Sequence, residues 1–515
     1  MLRSVPIIVA FSPRIVYTYR MKKCTIHIAD EVNVKISGLD LTERRALMKL
    51  FSFEVPGARY LPSVRLGRWD GKISFFSLGG SSYINLLEEI IPVLDSAGYD
   101  IELDDTRDYT TSFTFDSVKE DTYSDIMWPK GHPVEGTPIM LRDYQVEIIN
   151  NFLASPQCLQ EIATGAGKTL MTASLSKSVE QYGRSIVIVP NISLVTQTEA
   201  DYINMGLDVG VYFGGRKESG KTHTICTWQS LNVLLKNTKA GTGETTIGEF
   251  LEGVVCVIVD EVHQAKADAL KTLLTGVMAK IPIRWGLTGT IPKAKFDELA
   301  LLVSLGPVIS KLAASTLQDQ GVLANCHVNI IQLQDKVEYK EYQTELKFLV
   351  SDDTRMTEIA KQIAQVNRTG NTLVLVDRIE AGEILQRKLS SFFSLLKDAP
   401  DCKFVSGGTK STARTEAYDE IATSDNNIII ATYGVAAVGI NIPRLFNVVL
   451  IEPGKSFVRT IQSIGRGLRM AQDKVFVQIT DITSSCKFSK RHLTQRKAFY
   501  KEANYPFDVT KVSYK

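Results

Sequence analysis

Residues 163–169 read ATGAGKT, a short stretch in which glycines precede a lysine and a threonine. Glycines let the backbone curl so that its N–H groups face phosphate oxygens, and Lys168 can then reach the β- and γ-phosphates of a nucleotide. The Thr169 hydroxyl can bind magnesium, and a helix that begins here adds its positive N-terminal end. Ile162 stands where the full phosphate-loop pattern has its first glycine, so this stretch alone also fits a glycine-rich turn before a helix.

A second signal follows about 90 residues later, where the apolar run VVCVIVD is followed by EVH. The run predicts a buried strand that ends at Asp260, a position from which a carboxylate can hold magnesium, usually through water. Glu261 would orient and deprotonate the water that attacks the γ-phosphate. Because the phosphate loop and the acid pair occur in this order, together they predict an ATP-hydrolysing site.

Short apolar runs separated by helical patterns must position these groups. SIVIVP, VVCVIVD and IRWGLTG form a first series, and NTLVLVD, NIIIATYG and NVVLIEP form a second. Short, fully apolar strands between helices are typical of a parallel sheet covered on both faces, so we expect two successive α/β lobes. The predicted domains are an N-terminal extension (1–20), a small α/β domain (21–105), a linker (106–135), a first lobe (136–320), a second lobe (321–485) and a basic C-terminal tail or helix (486–515).

The composition is that of a soluble globular protein, with 44% hydrophobic and 23% charged residues, and no apolar run is long enough to span a membrane. The net charge of +2 does not itself indicate nucleic acid. Residues 487–515, however, carry eight Lys or Arg against two acids, with aromatic residues between them. This pattern suits either a tail that contacts a nucleic acid backbone or a helix with a solvated basic face.

The cysteines are scattered without a CxxC pair, which favours reduced thiols in the cytoplasm. The opening run MLRSVPIIVAF only weakly resembles a signal peptide, since no small-residue cleavage site follows it. We therefore expect a loose or strand-forming extension, with Met21 as a plausible alternative start.

Several motifs in order resemble those of superfamily-two helicases of the DExH kind. The motifs are ATGAGKT (163–169), DEVH (260–263), LTGT (287–290) and QSIGRGLR (462–469), with LRDYQ (141–145), IVPNISLVTQ (188–197) and ATYGVAAVGINIP (431–443) between and around them. The resemblance implies an α/β fold with two RecA-like parallel-sheet lobes in tandem after a small α/β domain. It also implies that ATP and Mg²⁺ bind between the lobes.

The resemblance assigns roles in ATP binding and hydrolysis. Gln145 would read the adenine edge, and Arg466 and Arg469 would stabilise charge on the γ-phosphate. The implied nucleotide-binding residues are Gln145, Thr164, Gly165, Ala166, Gly167, Lys168, Thr169 and Gly439. The implied catalytic residues are Lys168, Asp260, Glu261, Gln462, Arg466 and Arg469, with Thr169 and Asp260 on the metal. Thr288 and Thr290 would couple hydrolysis to DNA, whereas Asn441 departs from the family's usual Asp and leaves its contact open.

Residues 51–76 resemble the N-terminal domain of the UvsW family of phage recombination helicases, and this likeness favours DNA, branched DNA in particular. The implied DNA contacts are Arg68, Trp69, Asn191, Thr227, Trp228, Ser406, Gly407 and Thr432. Short hydroxyls and backbone N–H groups suit phosphate contacts. Trp69, beside Arg65, Arg68 and Lys72, could stack on a base at a branch or instead pack the core of the small domain.

We therefore expect a monomeric ATP-dependent DNA helicase or translocase that unwinds or remodels branched or forked DNA in replication, recombination or repair. Single-stranded DNA or an RNA–DNA hybrid is a further possible substrate. The alternatives are an RNA or hybrid helicase, a restriction-type translocase subunit, and a binding or annealing protein with an inactive ATP site.

Overall fold

The computed structural model describes residues 22–107, 112–130, 134–218, 220–243, 245–262, 267–394, 399–409, 411–436, 442, 444–454, 474 and 476–514. The chain divides into two compact units, one up to residue 111 and one from residue 112 onward. In the described part of the chain, no helix is both long enough and apolar enough to cross a membrane.

The first unit is the small domain, which is an α/β structure. Its strands are β1 (Lys22–Ile28), β2 (Asn33–Ser37), β3 (Ser52–Glu54), β4 (Lys72–Ser74), β5 (Ser81–Tyr83) and β6 (Tyr99–Asp105), and its helices are α1 (Leu41–Leu50), α2 (Pro62–Arg65) and α3 (Leu87–Ser96). The sheet order is β5-β2-β1-β6. Alternate residues of β1 are buried, because successive side chains of a strand point to opposite faces. Strands β3 and β4 form a separate antiparallel ribbon.

The first lobe is built on an eight-stranded sheet. Its strands are β7 (Gln157–Ile162), β8 (Arg184–Val189), β9 (Val209–Phe213), β10 (Arg216–Lys217), β11 (His223–Thr227), β12 (Val254–Asp260), β13 (Ile283–Thr288) and β14 (Val308–Leu312), and its helices are α4 (Asp143–Ala154), α5 (Lys168–Val179), α6 (Ile192–Asn204), α7 (Trp228–Ala240), α8 (Ile247–Leu251), α9 (Ala267–Thr275), α10 (Lys295–Leu305) and α11 (Ala314–Asp319). The order is β10-β9-β11-β8-β12-β13-β7-β14, and every pair except β9–β10 is parallel.

The second lobe is a seven-stranded parallel sheet in the order β17-β18-β16-β19-β20-β15-β21. Its strands are β15 (Asn325–Leu333), β16 (Thr372–Val376), β17 (Cys402–Val405), β18 (Ile428–Thr432), β19 (Asn447–Ile451), β20 (Phe476–Ser484) and β21 (Phe507–Val512), and its helices are α12 (Tyr342–Ser351), α13 (Asp353–Val366), α14 (Ile379–Phe393), α15 (Ser411–Thr423), α16 (Tyr433–Ala436) and α17 (Lys487–Glu502). The predicted fold class, two parallel-sheet α/β lobes after a small α/β domain, is confirmed.

Two segments that the sequence suggested to be a linker and a basic tail or helix are packed into the two lobes. Residues 112–130, within the predicted linker, pack on the first lobe without helix or strand, and the amide side chain of Asn150 bonds both the N–H and the C=O of Val118 at 2.9 and 3.0 Å. At the C-terminal end, α17 buries Leu493, Arg496 and Tyr500, and β21 pairs with β15. The basic segment is therefore a helix and a strand of the second lobe rather than a free tail.

Candidate ATP site and nucleic-acid interface

The phosphate loop lies between the end of β7 and the start of α5. Gly165 and Gly167 have φ values of 91° and 82°, in the left-handed region that favours glycine. A Cβ on Gly167 would lie 2.5 Å from Nε2 of Gln145, so a side chain here would displace the Gln145 amide. The glycines thus allow the tight turn that brings backbone N–H groups and the N-terminus of α5 to one point, which suits phosphate.

Lys168 is the first residue of α5, and its side chain is only 9% exposed. Its Nζ lies 3.0 Å from Oε1 of Glu261 and donates a hydrogen bond to the carbonyl of Ile162 at 3.3 Å. The predicted phosphate-binding cation is therefore next to the predicted general base. Incoming phosphates must share or replace this carboxylate contact.

The acid pair lies at the end of β12. Glu261 has a φ of 49°, a left-handed value that costs energy for a residue with a Cβ, and its N–H donates to Oδ1 of Asp260 at 2.8 Å. Burial, with the neighbouring Glu261 carboxylate, raises the pKa of Asp260, whereas Lys168 lowers it. A bound cation would favour the ionised form of this carboxyl, since a nearby positive charge stabilises a carboxylate.

Thr169 and Asp260 are the residues that could hold magnesium. Hydroxyl and carboxylate oxygens are the donors that Mg²⁺ prefers, and Mg²⁺ is commonly bound by one or two carboxylates together with substrate phosphates. The chemistry of this donor set therefore fits the ion, which would neutralise phosphate charge during hydrolysis.

The loop after β13 joins the same site. The Gly289 N–H donates to Oε2 of Glu261 at 3.3 Å, and a Cβ on Gly289 would lie 3.3 Å from the Thr164 hydroxyl. Thr288 donates to the carbonyl of Thr290 at 2.8 Å, which holds this turn together. The Gly289 backbone contact to Glu261, the predicted general base, was not anticipated from the sequence, where only the two threonines of LTGT carried predicted roles.

Gln145 is buried against the phosphate loop. Its Nε2 donates to the carbonyl of Ala166 at 3.0 Å, and its Oε1 accepts from the backbone N–H of Arg142 at 3.0 Å. The side chain thus ties the start of α4 to the loop. Its predicted contact to adenine stays a prediction, and the bond to Ala166 shows that it also shapes the loop itself.

The predicted residues of the second lobe that would complete the ATP site lie outside the described residues. They are Gly439, Asn441, Gln462, Arg466 and Arg469, and His263 of the DEVH motif lies outside as well. Their roles stay predictions.

The predicted DNA contacts of the first lobe lie at or just after the ends of the neighbouring parallel strands β8 and β11. Asn191 caps α6 by accepting from the Leu194 N–H at 3.0 Å, and Thr227 caps α7 by accepting from the Ser230 N–H at 3.3 Å. Among the described residues, the Asn191 Nδ2 and the Trp228 indole N–H are buried and have no hydrogen-bond partner. Two unpaired donors at one sheet edge suit an acceptor such as a phosphate oxygen.

The predicted contacts of the second lobe lie at the ends of β17 and β18, which are parallel neighbours. Ser406 and Gly407 directly follow β17, and Thr432 is the last residue of β18. The Ser406 N–H donates to the Thr409 hydroxyl at 3.0 Å, which holds the loop in a turn. The structure therefore brings these three residues to one edge of the second sheet.

In the small domain, Arg68 is exposed, but Trp69 is only partly exposed and its indole N–H donates to the carbonyl of Lys72 at 2.8 Å. The bond makes Trp69 part of the framework of its own loop. Tyr60, nine residues earlier, is 68% exposed. The sequence analysis assigned Tyr60 no role, although an aromatic residue beside Arg59 in this stretch is the kind of signal that it used for Trp69.

Two tandem parallel α/β lobes, the first with a phosphate loop beside an acid pair at a strand end, define a nucleotide-hydrolysing motor of helicase superfamily two. Family models match in the order expected for such a chain. They are described as "DNA helicase UvsW, N-terminal" over residues 25–104, "Type III restriction enzyme, res subunit" over 138–293 and "Helicase conserved C-terminal domain" over 354–471.

The chain is similar along almost its whole length to the ATP-dependent DNA helicase UvsW of Enterobacteria phage T4, at 25% identity over 93% of this chain and 94% of UvsW. The chain is thus a superfamily-two helicase that resembles UvsW.

Among solved structures, the type ISP restriction-modification enzyme LlaBIII bound to DNA has a TM-score of 0.55 at 16% identity, over 81% of this chain and 34% of that enzyme. The Mycobacterium smegmatis helicase Lhr, bound to single-stranded DNA and AMP-PNP, has a TM-score of 0.50 at 17% identity, over 71% of this chain and 48% of Lhr. Both likenesses support the fold.

Proposed function

We propose that this chain is an ATP-dependent DNA helicase or translocase that unwinds or remodels branched DNA in replication, recombination or repair. The observation that carries the proposal is the meeting of three loops at one edge of the first sheet, where Lys168 Nζ and the Gly289 N–H both contact the Glu261 carboxylate, at 3.0 and 3.3 Å. The full-length similarity to UvsW supports DNA as the substrate.

In the proposed cycle, Lys168 turns from Glu261 to the β- and γ-phosphates of ATP. Glu261, released from the lysine, orients the attacking water and takes its proton. Asp260 and Thr169 would hold Mg²⁺, which would supply positive charge against the phosphates. Arg466 or Arg469 from the second lobe stabilises the charge that develops on the γ-phosphate.

The proposed DNA-contacting residues, one group (or grip) on each lobe, lie at strand ends. The unpaired donors of Asn191 and Trp228 support phosphate contacts in the first lobe, and the hydroxyls of Ser406 and Thr432 support them in the second. Closure of the lobes on ATP and opening after hydrolysis would shift one grip relative to the other and move the motor along a strand. We expect this motor to work as a monomer in the cytoplasm, or in the host cytoplasm if it is phage-encoded.

A restriction-type translocase subunit is the second candidate, because residues 138–293 match the res-subunit model. The two candidates differ in the DNA substrate on which they act and in whether they depend on partner subunits. A branch-remodelling helicase separates strands alone, whereas a restriction subunit moves along intact duplex and depends on partner subunits for a recognition site.

The deciding experiment is the ATPase rate of the full chain with single-stranded, duplex, forked and four-way DNA and with RNA, alongside strand separation on the same substrates. The proposal predicts the strongest stimulation and strand separation with forked or four-way DNA. Stimulation by linear duplex without strand separation would favour the restriction-type candidate, and stimulation by RNA alone would favour an RNA helicase. The Glu261→Gln variant is the control for hydrolysis by a contaminating enzyme.

A further inference from the structure

The segment between β3 and β4 forms a compact cap on the two-stranded ribbon of the small domain. We call residues 55–71 the ribbon tip. Its chain turns at Gly57, Gly67 and Gly71, which have φ values of 78°, 67° and 78°. Ala58 is only 1% exposed, and a Cβ on Gly71 would lie 3.1 Å from the Ala58 Cβ. Small residues thus fill the inside of the tip and leave the larger side chains on its outside.

Large apolar side chains lie on the outer surface of the ribbon tip. Tyr60 is 68% exposed, Leu61 is 44% exposed and Leu66 is 64% exposed. Scattered exposed apolar residues are ordinary on a protein surface, whereas this segment exposes three large ones within seven successive residues.

The ribbon tip is also strongly basic. Arg59, Arg65 and Arg68 are all exposed, and the Arg59 guanidinium lies 4.8 Å from the centroid of the Tyr60 ring. Among the described residues, the side chains of Arg65 and Arg68 form no ion pair or hydrogen bond. The single acid, Asp70, is occupied in accepting from the Lys72 N–H at 3.0 Å. Two arginines without an ion pair, in the same segment as an exposed aromatic ring, complement a partner that offers both negative charge and flat apolar faces.

We propose that the ribbon tip binds DNA at a branch point, where the Tyr60 ring stacks on the exposed face of the terminal base pair. Arg65 and Arg68 bind the flanking phosphates, and Arg59 supports the ring from its other face. Linear duplex hides its base faces along its length, so the stacking contact distinguishes a branch from a duplex. This inference rests on the proposed function and names the residues that select its substrate.

Tyr60 rather than Trp69 carries the stacking role because of what each ring already contacts. The indole N–H of Trp69 donates a hydrogen bond to the Lys72 carbonyl. The backbone N–H of the same residue donates to the Ser63 carbonyl at 3.2 Å. Trp69 therefore braces the tip from within. Tyr60 ends the short 3-10 helix Ala58–Tyr60, which presents its ring at the surface.

The test measures affinities of the full-length protein, without ATP, for a forked DNA and for a linear duplex of equal length, with the free duplex ends of both substrates closed by hairpin loops so that only the fork exposes a base-pair face. Tyr60→Ala should weaken fork binding roughly 5- to 150-fold, the fold-change equivalent to a stacking contribution of about 1–3 kcal/mol per base, and should leave duplex binding within about twofold. Tyr60→Phe should keep the wild-type fork preference because it keeps the ring. Phe392→Ala is the matched control, since Phe392 is 46% exposed on α14 of the second lobe.

A fluorescent base analogue placed at the junction reports stacking directly. Its emission should change when wild-type protein or Tyr60→Phe binds and should not change with Tyr60→Ala. The double variant Arg65→Gln/Arg68→Gln should weaken fork and duplex binding together. It should lower the steepness of log affinity against log salt concentration by about 1.8, the value for two lost phosphate contacts.

The inference and the proposed function fail in different ways. If Tyr60→Ala retains the wild-type fork-to-duplex ratio and junction signal while DNA still stimulates its ATPase, the tip does not read branches and its exposed side chains serve a contact with a protein. If the wild-type chain shows no DNA-stimulated ATPase at all, the proposed function is wrong irrespective of the tip.

Discussion

Replacing Glu261 with glutamine tests how the Lys168–Glu261 contact controls ATP binding and hydrolysis. The two charged atoms are 3.0 Å apart, and their side chains are only 9% and 12% exposed. At an effective dielectric constant of about 20, the Coulomb attraction across that distance is about 5.5 kcal/mol before desolvation is subtracted. Glutamine keeps an oxygen for the lysine, so we expect about 1–3 kcal/mol of this attraction to be lost.

The loss should make ATP bind more tightly and turn over more slowly. In the wild type, Lys168 must leave the Glu261 carboxylate when it binds the phosphates. In the variant it leaves only a neutral amide, so the net free energy gained on binding the phosphates is larger. We therefore expect Glu261→Gln to bind ATP roughly 5- to 150-fold more tightly. Without a base for the attacking water, kcat should fall by about 10²- to 10⁴-fold.

Equilibrium titration with a fluorescent ATP analogue measures the affinity, and single-turnover hydrolysis measures the chemical step. Lys168→Ala is the matched control, since it removes the other partner and should lose both ATP affinity and turnover. Hydrolysis at the wild-type rate in Glu261→Gln would refute the assignment of the general base. Unchanged or weaker ATP binding in that variant would refute the competition between Glu261 and the phosphates.

Four further variants probe other parts of the molecule. Arg469→Ala should lower kcat by about 10³- to 10⁵-fold with a much smaller change in ATP affinity, as separate kcat and binding measurements would show; a loss of affinity alone would argue against its role at the γ-phosphate. Gly167→Ala should weaken ATP binding and lower the melting temperature, because a φ of 82° is strained for a residue with a Cβ and the added methyl would displace the Gln145 amide from the loop. Burial lowers the pKa of His223 below its ordinary value of 6.5, so the unfolded chain binds the proton more tightly than the folded chain does. The free energy of unfolding should therefore fall as the pH drops through 6.5 toward the lower pKa of the folded state. His223→Gln should flatten this part of the stability profile, measured by denaturation between pH 5 and 8 at about half-unit steps. Trp69→Ala should lower the melting temperature while the folded protein keeps its fork-to-duplex affinity ratio, and a lost ratio with unchanged melting would transfer the stacking role to Trp69.

The chemistry of the ATP site could be predicted from the sequence because its groups are held in short, local motifs. The glycines at 165 and 167, the lysine at 168 and the acids at 260 and 261 each need only a strand end and a turn to be presented, and apolar runs before them mark those strands. The same apolar runs predicted two parallel-sheet lobes, since a short strand that is apolar on both faces must be covered on both faces.

The partners of these groups depended on the tertiary structure. Lys168 meets Glu261, and Glu261 meets the Gly289 N–H, because β12, β13 and β7 are neighbours in the sheet although they are distant in the chain. Nothing local encodes that order, which is set by how the whole sheet packs against its helices. The engagement of Gln145 with the Ala166 carbonyl likewise depends on where α4 lies relative to the loop.

Exposure was the other property that only folding decided. The sequence predicted that Trp69 either stacks on a base or packs the core of the small domain, and assigned no role to Tyr60. The turns of the ribbon tip fix the indole of Trp69 to the Lys72 carbonyl and leave Tyr60 at the surface. The basic C-terminal segment likewise forms a helix and a strand of the second lobe, because its aromatic side chains Tyr500 and Tyr505 are buried and its strand β21 pairs with β15. Sequence by itself determines which chemical groups a chain carries, whereas long-range packing decides which of them meet one another and which remain exposed to a partner.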